Sequence, residues 1–107
     1  MTTKAVFSVS ELNELVQTVL EEEIGLISVR GEISNLAAPS SGHIYFSLKD
    51  NKAQIRCAMF RNKPGAKGFK PENGLEVVAF GLTSVYTIRG DYQLIVDSLE
   101  LSGDGVL

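Results

Sequence analysis

At 107 residues, with 44% hydrophobic and 21% charged side chains, the chain is sized for one domain that buries a single core without metal or disulfide support. Its only cysteine, Cys57, excludes an intrachain disulfide framework, and no apolar run approaches the roughly 20 residues that cross a bilayer. The net charge of −3 argues against a uniformly basic nucleic-acid coat, but the charge is unevenly spread: residues 1–32 carry −4, residues 72–107 carry −5, and residues 49–70 carry +6. A basic block inside an acidic chain is a local docking field for a polyanion, and its plain alternative is a solvated lysine loop. The N-terminus lacks a signal-peptide pattern, so the expectation is a cytoplasmic protein in a reducing compartment, without membrane contact.

The first element is a helix. Ser8 is a capping residue, Glu11 completes a capping box with it, and Phe7 is placed to staple onto Leu12. Val9, Leu12, Leu15, Val16, Val19 and Leu20 recur at spacings of three and four, which makes one apolar stripe expected to pack on the core. Gly25 is a natural stop. The acids Glu21–Glu23 at the helix end oppose its dipole.

From Ile27 the period changes to two, with Ile27, Val29 and Ile33 alternating with polar residues and Gly31 in mid-strand. Asn35 to Gly42 reads as a polar loop containing Pro39. The second strand follows, with Ile44, Phe46 and Leu48 facing inward and His43, Tyr45, Ser47 and Lys49 facing outward. Asp50-Asn51-Lys52 makes a tight connection to a third strand, Ala53 to about Phe60, which puts Ile55, Cys57 and Met59 on one face and Gln54, Arg56, Ala58 and Phe60 on the other. Arg61 to Gly74, with three glycines and two prolines, reads as loop with at most a short helical turn. Leu75 to Tyr86 is an apolar fourth strand bent at Gly81. A turn over Thr87–Asp91 leads to a fifth strand from Tyr92 to about Leu101, and Ser102–Gly105 reads as linker.

A helix plus five strands, with glycines inside two of them for sharp curvature, is a mainly β chain. It is most economically a five-stranded OB-fold barrel with an N-terminal α-helix, an SH3-like barrel being the main rival. The expected division is residues 1–25 as the helix packed on the barrel, 26–102 as the barrel, and 103–107 as the start of a linker.

Catalytic and metal chemistry find little here. One His and one Cys supply no cluster of about four zinc ligands, the carboxylates are scattered, and Cys57 falls in the apolar phase of its strand, where a structural thiol is expected. Gly65-Ala66-Lys67-Gly68 is too short for a Walker loop, and Arg89-Gly90-Asp91 reads as a turn. No catalytic residue, metal or cofactor is therefore assigned. An OB-fold binds across the exposed face of its second and third strands and between two flanking loops. Those places hold Ser41, His43, Tyr45, Lys49, Arg56, Phe60, Arg61, Tyr86, Arg89 and Tyr92, a set that combines cations for phosphates with rings for base stacking. Each also has a plain role: Phe60 as cover for the barrel end, Tyr45 as a cross-strand packing residue, His43 as partner of a loop carbonyl.

Several stretches in register then resemble one family. Val29-x-Gly31-Glu32-Ile33-Ser34-Asn35, Ser40-Ser41-Gly42-His43-x-Tyr45-Phe46-x-Leu48-Lys49-Asp50, Met59-Phe60-Arg61 and Gly81-x-x-Ser84-x-Tyr86-x-x-x-Gly90-x-Tyr92-Gln93-Leu94 are similar to the N-terminal domain of exodeoxyribonuclease VII large subunits, as is the opening Ser10-Glu11-Leu12-Asn13. The likeness runs from about Phe7 to Leu101. It implies a bacterial, cytoplasmic, single-stranded DNA-binding module that is not itself catalytic. Residues 103–107 would then lead toward a catalytic domain outside this chain. In such enzymes that domain degrades single-stranded DNA exonucleolytically to oligonucleotides, and the large subunit associates with several small subunits. A different class of function, a protein-interaction module docking on the catalytic region or another subunit, would use the strand Leu75–Tyr86 and the acidic helix.

Overall fold

The computed structural model describes residues 5–102; the expected linker at 103–107 lies outside the described residues. The helix α1 (Val9–Val19) begins on the anticipated capping box: the Glu11 N–H donates to Ser8 Oγ at 3.0 Å and the Ser8 N–H to Glu11 Oε1 at 2.8 Å. Both bonds satisfy backbone or side-chain groups that the first helical turn would otherwise leave open. A single π-helical turn, Leu20–Ile24, closes the helix, and Gly25 leaves it at φ 65°.

Six strands follow: β1 (Leu26–Ala37), β2 (Ile44–Lys49), β3 (Gln54–Met59), β4 (Gly65–Ala66), β5 (Glu76–Tyr86) and β6 (Asp91–Leu101). The order is β3-β2-β1-β5-β6, all antiparallel, and β6 returns to pair with β3 in parallel. That last pairing closes five long strands into a barrel of OB-fold topology. The two-residue β4 runs parallel to Ser98–Leu99 of β6, so the expected loop of residues 61–74 contributes a short strand where a helical turn had been allowed for.

Both in-strand glycines sit where backbones converge. A Cβ on Gly31 would lie 2.8 Å from Leu48 Cγ and 3.0 Å from the Lys49 carbonyl oxygen, at the point where β1 passes from β5 to β2. A Cβ on Gly81 would lie 2.2 Å from the Ile95 carbonyl oxygen. There the register slips between Phe80 and Gly81, a bulge that bends β5 around the barrel.

The interior is filled from the alternating faces: Ile33 from β1, Phe46 and Leu48 from β2, Cys57 and Met59 from β3, Val77 and Ala79 from β5, and Leu94, Val96 and Leu99 from β6. β1 runs to Ala37, past the loop start expected at Asn35. Asn35 adopts φ 53°, a conformation that Asn tolerates better than most residues, and Ala37 still pairs with Tyr45 beyond the irregularity.

The helix departs most from expectation. Its apolar stripe does not enter the core: Val9 is 77% exposed, and Leu12, Leu15, Val16 and Val19 lie between 40% and 48%. The reason is geometric. The barrel fills its interior with its own strands, and the helix lies against the outside of β5. Polar side chains hold it there. Asn13 Nδ2 donates to the Thr87 carbonyl at 2.9 Å, Gln17 Nε2 donates to the Val85 carbonyl at 3.1 Å, and the Ser84 hydroxyl donates to Glu21 Oε2 at 2.6 Å. No helix among the described residues is long and apolar enough to cross a membrane.

Candidate nucleic-acid interface

The outward face of β2 and β3 is set by the antiparallel register Tyr45↔Ala58, Ser47↔Arg56 and Lys49↔Gln54. Closure of the barrel adds a third strand to this face, because β6 lies beside β3 with Arg56↔Gln93 and Ala58↔Ile95. A groove of about 550 Å³ runs over it. Tyr45, Ser47, Gln54 and Arg56 form its floor, Asn35 and Ala37 of β1 one wall, and Tyr92 and Gln93 of β6 the other. Ala58 is buried beneath this surface although it belongs to the outward phase of β3.

Beyond Tyr45 the face continues into a cluster of three rings. His43 meets Phe60 edge-on at 5.4 Å between centroids and Tyr45 at 6.5 Å. The Arg61 backbone N–H donates to His43 Nδ1 at 3.1 Å, and Arg61 Nη1 donates to the Ser41 carbonyl at 3.3 Å. Accepting at Nδ1 leaves Nε2 as the donor of the neutral imidazole. The bond expected for His43 thus goes to a backbone N–H and not to a loop carbonyl. A depression beside the cluster is lined by Phe60, Arg61 and Lys63, and Lys63 leans toward Asp97 at 3.9 Å.

Seven of the ten residues singled out from the sequence therefore share one continuous surface: Ser41, His43, Tyr45, Arg56, Phe60, Arg61 and Tyr92. Three stand apart from the groove lining. Lys49 borders a separate depression with Arg30, Glu32, Asp50 and Glu76, where carboxylates offset its charge. Arg89 faces Asp91 at 3.5 Å, and Tyr86, 45% exposed, ends β5 at the turn whose Thr87 carbonyl is tied to the helix. The set singled out from the sequence leaves out Asn35, Ser47, Gln54 and Gln93, although Ser47 is on the expected outward face of the second strand. Ser47 and Gln54 were in phase with Tyr45 and Arg56 and so were within reach of the alternation. Gln93 reaches the groove only through the parallel closure.

The remaining chemistry of the site is inert. Burial pushes the Cys57 thiol up to about 12, against a smaller downward pull from a backbone hydrogen bond at Leu48. Among the described residues no group of three or more His, Cys, Asp or Glu side chains is arranged to hold a metal ion.

The profile of a family described as "OB-fold nucleic acid binding domain" matches residues 7–100. This chain belongs to that family. The OB-fold domain is 53% identical over 102 residues to the exodeoxyribonuclease 7 large subunit of Histophilus somni, covering 95% of this chain and 23% of the relative. It is 51% identical over 105 residues to the protein of the same description from Edwardsiella ictaluri, again covering 23% of that relative. The OB-fold domain thus spans about a quarter of the length of the curated relatives it matches. Among solved structures, a replication protein A heterotrimer bound to ssDNA aligns with a TM-score of 0.59 at 11% identity, covering 74% of this chain and 58% of that one. Asparaginyl-tRNA synthetase from Pyrococcus horikoshii aligns at 0.58 with 16% identity, covering 71% of this chain and 19% of that one. At such identities these two likenesses show the fold.

Proposed function

We propose that this OB-fold domain binds single-stranded DNA across the β2–β3 face and, within a longer large subunit, presents the strand to an exonuclease region in the bacterial cytoplasm. Small subunits complete that enzyme. The observation that carries the reading is the continuity of the groove floor at Tyr45 with the ring cluster of His43 and Phe60, with Arg56 in that floor and Arg61 beside the rings. Rings exposed along a groove stack on bases of any identity, and cations at its margins neutralise phosphates. A duplex has its bases already stacked and offers the rings nothing. Of the other members of the proposed site, Ser41 adjoins the ring cluster through Arg61, and Lys49, Tyr86 and Arg89 meet the strand beyond the groove lining.

Fluorescence anisotropy with a labelled mixed-sequence 12-nucleotide strand tests this, with the matching duplex as control and two salt concentrations. The expected result is tighter single-strand binding that weakens with salt, and a loss of about fivefold or more in Phe60→Ala, since one stacked base is worth roughly 1–3 kcal/mol. Equal affinity for the duplex, or an unchanged affinity in a Phe60→Ala variant with unchanged circular dichroism, contradicts it.

One observation favours a second reading, a protein-interaction module: the half-exposed apolar stripe of α1. The strand anticipated for that role, β5, commits Val77, Ala79 and Val85 to the interior and leaves Phe80 and Tyr86 exposed. Light scattering discriminates, since a monomer that binds the oligonucleotide supports the first reading and a dimer that ignores it supports the second.

A further inference from the structure

The cations near the interface are not distributed like a phosphate track. Lys49 and Lys52 sit at the β2–β3 hairpin end, and Arg61 and Lys63 sit by the ring cluster. Between them the groove is lined by a single cation, Arg56, and by no carboxylate. Its other polar groups are neutral: the amides of Asn35, Gln54 and Gln93, the hydroxyl of Ser47 and the phenols of Tyr45 and Tyr92. Arg56 is exposed and makes no ion pair among the described residues, and the register holds it between Ser47 on one strand and Gln93 on the other.

Amides that both donate and accept are poorly matched to phosphate, which only accepts, and well matched to base edges, which do both. A guanidinium presents two parallel N–H groups, and guanine offers two adjacent acceptors, O6 and N7, on the edge away from its pairing face. Unpaired cytosine offers N3 and O2 and is the competitor the test must separate. In a single strand the guanine edge is free to face a protein surface while the ring stacks on an aromatic side chain. Tyr45 and Tyr92, 41% and 56% exposed, supply such rings on the lining of the same groove.

We infer that the middle of the groove is a base-reading position selective for guanine, with Arg56 as the specificity-determining residue and Gln54 and Gln93 as supporting contacts. This rests on the single-strand reading of the same face. The strand is held without regard to sequence at the two ends of the groove, and one nucleotide between them is read.

The test uses labelled dT12 and a panel in which a single dG, dA or dC is stepped through its positions, measured by anisotropy on the full chain. A dG at one position is expected to bind about fivefold or more tighter than dT12, and dA or dC there is not. The ratio of dG-containing to dT12 affinity is expected to fall to about one in Arg56→Lys, which keeps the charge but loses the fork. A ratio that Arg56→Lys leaves unchanged overturns the inference and makes Arg56 a phosphate contact. A preference for dA overturns it in favour of the glutamines, and equal affinity across the panel overturns base reading altogether. In these outcomes dT12 still binds and the single-strand reading stands; failure of dT12 and every panel member to bind removes both.

Discussion

The β2–β3 face and the α1 face began as equally clear patterns and ended differently. In β2 the alternation separates Phe46 and Leu48, at 4% and 2% exposure, from a polar face with rings. In α1 the 3.6-residue periodicity groups apolar side chains as cleanly, yet none is buried. Periodicity states which residues share a face. What covers that face is decided by the rest of the fold, and here the barrel interior was already full. The groove side of the molecule is thus tied to the core through every second residue of its strands, whereas the helix is tied to the end of β5 and the turn after it by Asn13, Gln17 and Glu21.

The largest effect is expected where the barrel bends. In Gly81→Val the Cβ would sit 2.2 Å from a backbone oxygen and 2.9 Å from Val96 Cα, neither of which is a flexible side-chain end. A loss on the order of 3 kcal/mol or more follows, read from urea unfolding, or failure to accumulate folded protein. A near-normal midpoint would mean that the bulge can move.

A paired truncation sharpens the contrast between the two regions. Leu94→Ala empties a fully buried position and should cost about 2–5 kcal/mol. Leu15→Ala removes the same atoms from a side chain that is 43% exposed and should cost less than about 1 kcal/mol. Similar losses in the two variants would show that the stripe is covered in solution.

Acid gives the smallest expected change and touches both regions. Hydrogen bonds from the Ser8 N–H, and then from its hydroxyl, hold Glu11 below its ordinary 4.5. The N–H groups of Lys52 and then Ala53 hold Asp50 below its ordinary 3.8. Both groups ionise more readily folded than unfolded, so their stabilisation is present above those ordinary values and is lost as pH falls through the lower folded ones. Unfolding midpoints should therefore drop as pH falls from above the ordinary values of 4.5 and 3.8 through the lower folded ones, with the helix start and the hairpin turn the first to loosen by amide exchange. Midpoints that hold or rise would remove this assignment.

Much of this was legible in the sequence because it is local. The Ser8–Glu11 box, the stop at Gly25, the Asp50 turn and the inward set Ile44, Phe46, Leu48 depend on residues a few positions apart, and the structure has them. The proximity of the rings of His43, Tyr45 and Phe60 follows from the same alternation. Illegible features join distant segments. Gln93 stands beside Arg56 because β6 closes on β3, and Gly65–Ala66 is a strand only because Ser98–Leu99 lies next to it. β1 runs three residues into the stretch expected as loop, since Asn35 and the irregular pairing that follows look like loop when read alone.

The buried thiol has a practical consequence. Cys57 is 3% exposed, and with a value of about 12 it is roughly one part in ten thousand thiolate at pH 8. Maleimide-type dyes attack the thiolate, so the native chain is effectively blank to them while folded. A cysteine introduced in the depression beside the ring cluster, at Asn62 for example, would be the one site to label. A dye placed there would report arrival of an unlabelled strand without removing any native side chain from the core.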